Sequence, residues 1–432
     1  MKTVEKIPEL LAPVGSREKL TAAIHYGADA VYLGGASWSL RAQAGNFDRQ
    51  GLREAIAYAH QHGVKVYVTV NIFAHNRDLN GLEDYLCFLR EAGADALIVA
   101  DPGILLICRE TVPELPLHLS TQANVTNRAS VRFWAGQGVR RVNLARELGL
   151  EEIRTIRQAE PDIALEVFIH GALCISYSGR CLLSNYLTGR NANLGDCAHP
   201  CRYFYRLVEE KRPGQYFPVE EDARGTYIFN SRDLCLLARL PELAAAGVDS
   251  VKIEGRMKSV GYVGAVVRVY RAALDYIQER REAGAAWEDI ILPPAFHEEI
   301  AKVGTRGQTE NFFTTSPSST AMLYDRMREI QPFAPVGIVR GTEPFLLETR
   351  NVLLLGDRIE YLGRQLEPTL CTVLAMTAAD GTEVRRANPG CVVAPVLAPL
   401  PDGLRVNDLF RKRCDQQQPQ QSSTRPNHDT FP

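Results

Sequence analysis

Four times in its first 260 residues the chain repeats one phrase: GADAVYLGG at 27–35, GADALIVAD at 93–101, GVRRVNLAR at 138–146 and GVDSVKIEG at 247–255. Each copy is a glycine, two or three small or polar residues and a short apolar run. The glycine suits the left-handed residue that closes a preceding helix. The apolar run suits a strand buried on both faces, as in a parallel sheet. ELLAPV (9–14), KVYVTVNI (65–72), PLHLSTQA (116–123) and ALEVFIHG (164–171) read as four further strands. Helical patterns lie between them, at 47–63, 80–93 and 150–159. Strand and helix alternating through eight units predict an α/β fold, a (β/α)8 TIM-like barrel. A doubly wound open sheet is the alternative. The count of eight and the lack of a G-x-G-x-x-G turn after the first strand favour the barrel.

One interval departs from the rhythm. The seventh strand ends at 171 and the fourth copy of the phrase, which carries the eighth strand, starts at 247, which marks 172–246 as an insertion. It leaves from the C-terminal end of a strand, the face on which barrel enzymes carry their chemistry. VGYVGAVVRVYRAALDYIQERREAG (260–284) reads as a long closing helix, so the barrel is expected over 1–284. A mixed connecting segment follows over 285–335. From 336 to 410 short apolar runs alternate with Gly, Asn and Asp turns, the pattern of a small all-β barrel. The polar, low-complexity end, 411–432, is expected to be disordered.

The insertion holds Cys174, Cys181, Cys197 and Cys201, four of the chain's ten cysteines. The N-terminus lacks a signal-peptide pattern and no apolar run is long enough to span a bilayer, which points to a cytoplasmic protein without a membrane partner. In a reducing compartment, clustered cysteines favour metal or redox chemistry over disulfides. Packing suits the isolated thiols, Cys87, Cys108, Cys371 and Cys391, while Cys414 reads as a tail thiol. The spacing of the cluster leaves two readings open. Cys197 and Cys201 suit a zinc knuckle, though Cys174 and Cys181 stand too far apart for the usual pair. Four thiolates also suit a [4Fe–4S] cluster, whose spacing is looser.

The predicted strand ends carry Tyr32, Asn71, Asp101, Gln122, Asn124, Arg146, His170, Lys252, Glu254 and Arg256. Arg41 lies on a neighbouring loop. Arg146, Lys252 and Arg256 could bind a small dicarboxylate or RNA phosphates, since guanidinium groups match carboxylates and phosphates. The bland alternative is that Glu166 pairs with Lys252, and Glu254 with Arg256, to stiffen the rim. His170 ends a strand and His199 lies in the cysteine block; either could be a ligand, an acid–base group or a hydrogen-bonding residue. Tyr177, Tyr186 and Tyr203 could stack on a base or pack. A formal net charge of −2 gives no overall basic field for nucleic acid, though Arg and Lys cluster near 202–213 and 405–413.

Glu166, Phe168, Gly171, Ala172, Leu173, Cys174, Gly179, Cys181, Leu183 and Ser184 form a gapless pattern. With GADAVYLGG, LSTQANVTN (119–127), GDCAHPCR and VKIEGRMKS (251–259), it resembles the collagenase-like U-32 peptidase family up to about residue 410. The family name implies proteolysis, but the chain has no H-E-x-x-H and no G-x-S-x-G. A Cys174–His170 thiol protease would leave the other cysteines unexplained. Other relatives imply a different chemistry: hydroxylation of the transfer-RNA wobble uridine, of a ribosomal-RNA cytidine, or of ubiquinone. The resemblance implies a [4Fe–4S] cluster on Cys174, Cys181, Cys197 and Cys201, with Cys235 as the substitute ligand, and prephenate as oxygen source. The β module resembles the transfer-RNA branch. On that reading His170, Glu166, Lys252 and Glu254 are the catalytic candidates. Tyr32, Arg41, Asn71, Gln122, Arg146 and Arg256 are the substrate-binding ones. A peptidase and a zinc-stabilised binding module remain the alternatives. The sequence does not indicate an oligomeric state.

Overall fold

The computed structural model describes residues 6–39, 46–173, 232–304, 307–313 and 331–414, with four short strand pieces between 207 and 227. The first seven strands run β1 (Glu9–Pro13), β2 (Ala30–Gly34), β3 (Lys65–Val70), β4 (Ala96–Val99), β5 (Leu117–Leu119), β6 (Val139–Asn143) and β7 (Ala164–Ala172). Each pairs in parallel with its successor. Two short antiparallel pairs follow, β8 (Leu207–Val208) with β9 (Tyr216–Phe217) and β10 (Glu220–Asp222) with β11 (Gly225–Tyr227). The chain then returns as β12 (Asp233–Cys235), antiparallel to the end of β7. After a short helix, β13 (Ser250–Ile253) pairs in parallel with both β7 and β1. Eight parallel strands thus close into the expected barrel, and the open sheet is excluded.

The repeated phrase has a physical reason beyond strand propensity. Its glycines, Gly27, Gly93, Gly138 and Gly247, all have φ between 77° and 93°, the region a Cβ disfavours. Three copies place an aspartate next to the strand, and each binds the backbone of the strand before it. Asp29 accepts from Leu10 N at 2.8 Å, Asp95 from Val66 N at 2.7 Å and Asp249 from Leu165 N at 2.8 Å. The aspartates therefore stitch adjacent strands at their N-terminal ends. The copy at 138–146 has arginines there instead, and Arg141 turns to another use, described below. Helix starts are capped by side chains: Ser16, Asp48, Asn127 and Ser259 each accept a backbone N–H of the first turn.

The segment 285–335 does more than connect. Ile290, Leu292, Phe296, Ile300, Val303 and Phe313 are buried in the main core, and β14 (Gln308–Thr309) extends the sheet beyond β12. Six antiparallel strands then close a second barrel: β15 (Phe333–Thr342), β16 (Phe345–Thr349), β18 (Arg358–Leu362), β19 (Thr369–Ala378), β21 (Val392–Ala398) and β22 (Leu409–Arg413). A small ribbon of β17 (Leu353–Leu354) and β20 (Arg386–Ala387) sits beside it. Its own core includes Val336, Val339, Leu347, Ile359, Cys371 and Phe410.

The two barrels share apolar packing, since Ile338, Leu362 and Leu409 join the main core. Tyr26 pins the joint: its hydroxyl donates to Leu362 O at 2.7 Å and accepts from Leu409 N at 2.9 Å. The helix Val260–Glu282 lies between them, with Val263, Val266, Val267, Tyr270, Leu274 and Ile277 fully buried. Among the described residues no helix is long and apolar enough to cross a membrane. Cys108 and Cys371 pack as expected, whereas Cys391 is exposed, because it lies in the turn before β21.

Candidate active site

The interior of the large barrel is layered. An apolar layer of Leu11, Ala30, Tyr32, Tyr67, Ala96 and Ile98 fills one side. The other side is ionic. Arg141 donates to Glu9 Oε1 at 2.6 Å and to Glu166 Oε2 at 3.4 Å. Lys252 Nζ donates to Glu166 Oε1 at 2.8 Å. Tyr67 OH and Ser250 Oγ donate to Glu9 as well, at 2.8 and 3.2 Å. Two carboxylates thus face two cations. Although burial opposes it, Arg141, Tyr67 and Lys65 hold the Glu9 carboxyl below the usual range. His118 lies edge-on to Tyr67 with ring centroids 4.6 Å apart, and burial together with Arg141, Lys252 and Lys65 keeps its imidazole neutral. Glu9, Arg141 and His118 were missed by the sequence reading. The one available signal was the pair of arginines standing where the other copies of the phrase have aspartate.

The mouth lies above this layer, at the C-terminal strand ends. Phe168, at mid-strand in β7, has Arg146 Cζ 4.2 Å and Lys252 Nζ 5.4 Å from its ring centroid. Lys252 Nζ also stands 4.5 Å from the Tyr32 ring. Tyr32 OH donates to Ile253 O at 3.0 Å and lies 3.3 Å from Glu254 Oε2. Arg146 donates to Ala172 O at 3.2 Å, and Asn311 Nδ2 fixes its backbone carbonyl at 2.7 Å. Tyr32, Arg146, Lys252, Glu254 and Phe168 therefore converge.

The expected residues separate into distinct situations. Glu166 and Lys252 form the pair that was the bland alternative, inside the barrel and almost fully buried. Arg256 donates to Ser39 Oγ at 3.0 Å, Thr69 Oγ1 at 3.4 Å and Asn46 Oδ1 at 2.8 Å, tying the loop after β13 to the loop after β2 and to β3 itself. Asn71 donates to Gln122 Oε1 at 2.7 Å, which also accepts from Ser120 Oγ at 3.0 Å. Asp101 is a helix cap, accepting from Gly103 N and Ile104 N, because it directly precedes the helix Pro102–Thr111. Arg146 is different. Among the described residues its hydrogen-bond partner is a carbonyl, its face lies on a ring, and its buried Nε has no partner.

His170 is buried, with Nδ1 3.3 Å from Tyr270 OH. Tyr270 OH donates to Ile169 O at 3.0 Å. Its one proton is thus used, so His170 Nδ1–H is the donor and Nε2 carries the lone pair. The Cys235 thiol contacts the same oxygen at 3.8 Å. Burial lowers the His170 pKa to about 4, with Asp233 opposing the shift and Lys258 adding to it. The imidazole is therefore neutral at neutral pH and is not a standing acid. Gly171 follows at φ 111°, and a Cβ there would lie 2.5 Å from Glu254 O. Only glycine lets the loop after β13 lie this close to β7.

Arg41, His199, Tyr177, Tyr186, Tyr203 and the four clustered cysteines Cys174, Cys181, Cys197 and Cys201 lie outside the described residues, as do residues 415–432 of the tail expected from 411, whose first residues instead complete β22 (Leu409–Arg413). Among the described residues no group of three His, Cys, Asp or Glu side chains could hold a metal. Cys235 is described. In the β7–β12 register it stands opposite His170, four residues before Cys174. Burial raises its thiol pKa, so a thiolate here needs a positive partner such as a metal ion.

The chain is 40% identical over 392 residues to the tRNA hydroxylation protein P1 of Bacillus subtilis, covering 89% of this chain and 90% of that one. It is 41% identical over 446 residues to the tRNA hydroxylation protein P of Escherichia coli, covering 93% and 95%. It is 37% identical over 312 residues to the 23S rRNA 5-hydroxycytidine C2501 synthase of Escherichia coli, covering 72% of this chain and 43% of that longer one. The model of peptidase family U32 matches residues 15–323, from the loop after β1 to beyond β14. The match takes in every strand of the large barrel except β1, and on it the chain belongs to peptidase family U32.

Proposed function

We propose that the chain hydroxylates a pyrimidine of RNA, specifically C5 of the wobble uridine of transfer RNA. The observation that carries this reading is the match over about nine-tenths of both chains to proteins named for tRNA hydroxylation. The third relative is named for 5-hydroxycytidine, the same ring position on the other pyrimidine. The target base must leave its stack to react, which a mouth at the strand ends allows.

Replacing C5–H by C5–OH is a two-electron oxidation, so it needs an oxygen source and an acceptor for two electrons, to which a cluster would pass them one at a time. Prephenate is the proposed source, and its two carboxylates need a cationic anchor. Arg146 is the best candidate, because its Nε and outer face are not committed to a carboxylate among the described residues. Lys252, neutralised by Glu166, and Tyr32 shape the wall opposite. Glu254, reached by Tyr32 and held beside Gly171, is the carboxylate nearest to acid–base work at the mouth. His170, neutral and bonded to Tyr270, acts as a positioning residue between β7 and β12.

The proposed cluster is a [4Fe–4S] centre on Cys174, Cys181, Cys197 and Cys201, with Cys235 able to replace one of them. The support for including Cys235 is its place opposite the strand end that leads to Cys174. When bound, the cluster supplies one-electron transfer or a Lewis-acidic iron.

The test has two arms. Transfer RNA from a deletion strain is digested and its nucleosides weighed. Loss of the wobble hydroxyl, restored by this chain, supports the reading; an unchanged nucleoside pattern ends it. Protein purified without air is then assayed for iron, sulfide and zinc. Iron and sulfide in equal amounts, lost in Cys174→Ala, support the cluster. Zinc alone moves the block to a structural role.

A further inference from the structure

Beside the mouth, where the helix Val260–Glu282 begins, the two barrels line a partly open cavity of about 110 Å³. Its walls include Lys258, Tyr262, Lys302, Phe333 and Arg411. No residue of this cavity takes part in the reading above. We infer that it is a second oxyanion site and that it takes one backbone phosphate of the RNA substrate. The inference rests on the RNA reading.

Size comes first. At about 110 Å³, several times what a water needs, and open on one side, the cavity admits one phosphate or carboxylate group.

Charge comes second. Arg268, Lys302 and Arg411 share two carboxylates. Lys302 lies 2.7 Å from Glu299 and 3.3 Å from Glu360, and Arg411 lies 2.8 Å from Glu299 and 2.6 Å from Glu360. Arg268 is bonded to Glu299 as well. Three cations against two carboxylates leave this cluster with one positive charge in excess, with Lys302 and Arg411 on the cavity wall and Arg268 buried behind it. Lys258 also lines the cavity, at the start of the helix Val260–Glu282. Both Lys302 and Arg411 lie on the face of Phe333, at 5.3 and 5.0 Å from its centroid, which orders them without neutralising them.

Position comes third. Lys258 Nζ stands 5.5 Å from the ring of Tyr262. Tyr262 OH donates to Glu254 O at 3.1 Å, and its ring lies 6.0 Å from that of His170. One side chain therefore separates the cavity from the mouth. A phosphate held here would fix the RNA backbone while a neighbouring base enters the barrel. Phosphate contacts set register in this way without reading sequence.

A free anion shares this chemistry, so the experiment separates the two sources. Full-length wild type, Lys258→Gln, Lys258→Arg and Lys302→Gln proteins are titrated with an unmodified tRNA transcript bearing a wobble uridine, at several salt concentrations. The expected result is severalfold weaker binding by Lys258→Gln, a salt slope reduced by about one, and recovery in Lys258→Arg. Lys302→Gln should do the same; should it unfold, the Lys258 variants carry the test. Inorganic phosphate at matched ionic strength should compete with tRNA on the wild type and less on Lys258→Gln. An unchanged affinity and slope in Lys258→Gln overturns the inference. Phosphate binding that depends on Lys258 while tRNA binding does not assigns the site to a free anion and also overturns it. Complementation of the deletion strain keeps the two readings apart. If wild type restores the hydroxyl while the slope is unmoved, only the phosphate site fails. If wild type restores nothing, both fall.

Discussion

At the floor of the large barrel Glu9, Arg141, Glu166 and Lys252 interlock, two carboxylates against two cations, with Tyr67 and Ser250 filling remaining acceptor sites. At the mouth Arg146 rests on the ring of Phe168 and meets a carbonyl. The floor has spent its charge on itself. It can bind no further ion, and loss of any member leaves another charge buried and unbalanced. The mouth keeps donor capacity for something else. Cations that look alike in the sequence thus do opposite work, and the difference is made by which strand layer they occupy. A substitution in the floor should therefore act on stability, and one at Arg146 on binding.

The largest expected effect is in the floor. Glu166→Leu leaves Lys252 without its partner and Arg141 with only one. Breaking a buried pair costs about 3–5 kcal/mol, and chemical denaturation should show that loss; a loss below about 1 kcal/mol would mean that the network is not the support described.

Next is the acid limb set by His170. The unfolded chain takes up this proton near pH 6.5, the folded one near 4. Between those values the unfolded state binds more protons, so stability falls as pH drops through that window and is untouched above it. The slope is at most about 1.4 kcal/mol per pH unit, and the whole effect about 3 kcal/mol by pH 4. His170→Asn should flatten that limb relative to wild type in denaturation curves taken across the window. Parallel curves would contradict the buried neutral imidazole.

Arg146→Met keeps the packing on Phe168 and removes the donors. Stability should stay within about 1 kcal/mol, while prephenate binding, followed by calorimetry, should weaken by about 1.5–3 kcal/mol, tenfold or more. The reverse pattern, a destabilised protein that binds normally, would place Arg146 with the floor and erase the contrast.

The smallest effect is at the strand starts. Asp95→Ala removes the acceptor of Val66 N and should cost about 1 kcal/mol in thermal or chemical unfolding. If Asp29→Ala and Asp249→Ala cost nothing either, the repeated aspartate has some purpose other than stitching strands.

Much of this molecule was legible in its sequence. The eight strands were marked by glycines that need positive φ and by apolar runs buried on both faces, and both are local requirements. The second barrel showed itself through its turns. The candidate site was only partly legible. Arg146 and Glu254 stand at strand ends, where position along the chain is a fair guide. Lys252 and Glu166 left two readings open, work at the site or a mutual pair, and only the fold shows that the two lie in one layer and point at each other. Glu9 and Arg141 went unnoticed for the same reason. The two are 132 residues apart in sequence and 2.6 Å apart in space.

The sequence alone determined the alternation of strand and helix, the insertion after β7 and the family. Each depends on short-range chemistry: a glycine's φ, a cap's oxygen, a run of apolar side chains, a cysteine spacing. Only the tertiary structure decided which cations are neutralised, that His170 is dry and uncharged, that Cys235 returns to the end of β7, and that the two barrels line a cationic cavity beside the mouth. Those outcomes depend on burial and on distance between strands remote in sequence, and Coulomb and desolvation energies depend on distance and surroundings, not on sequence separation.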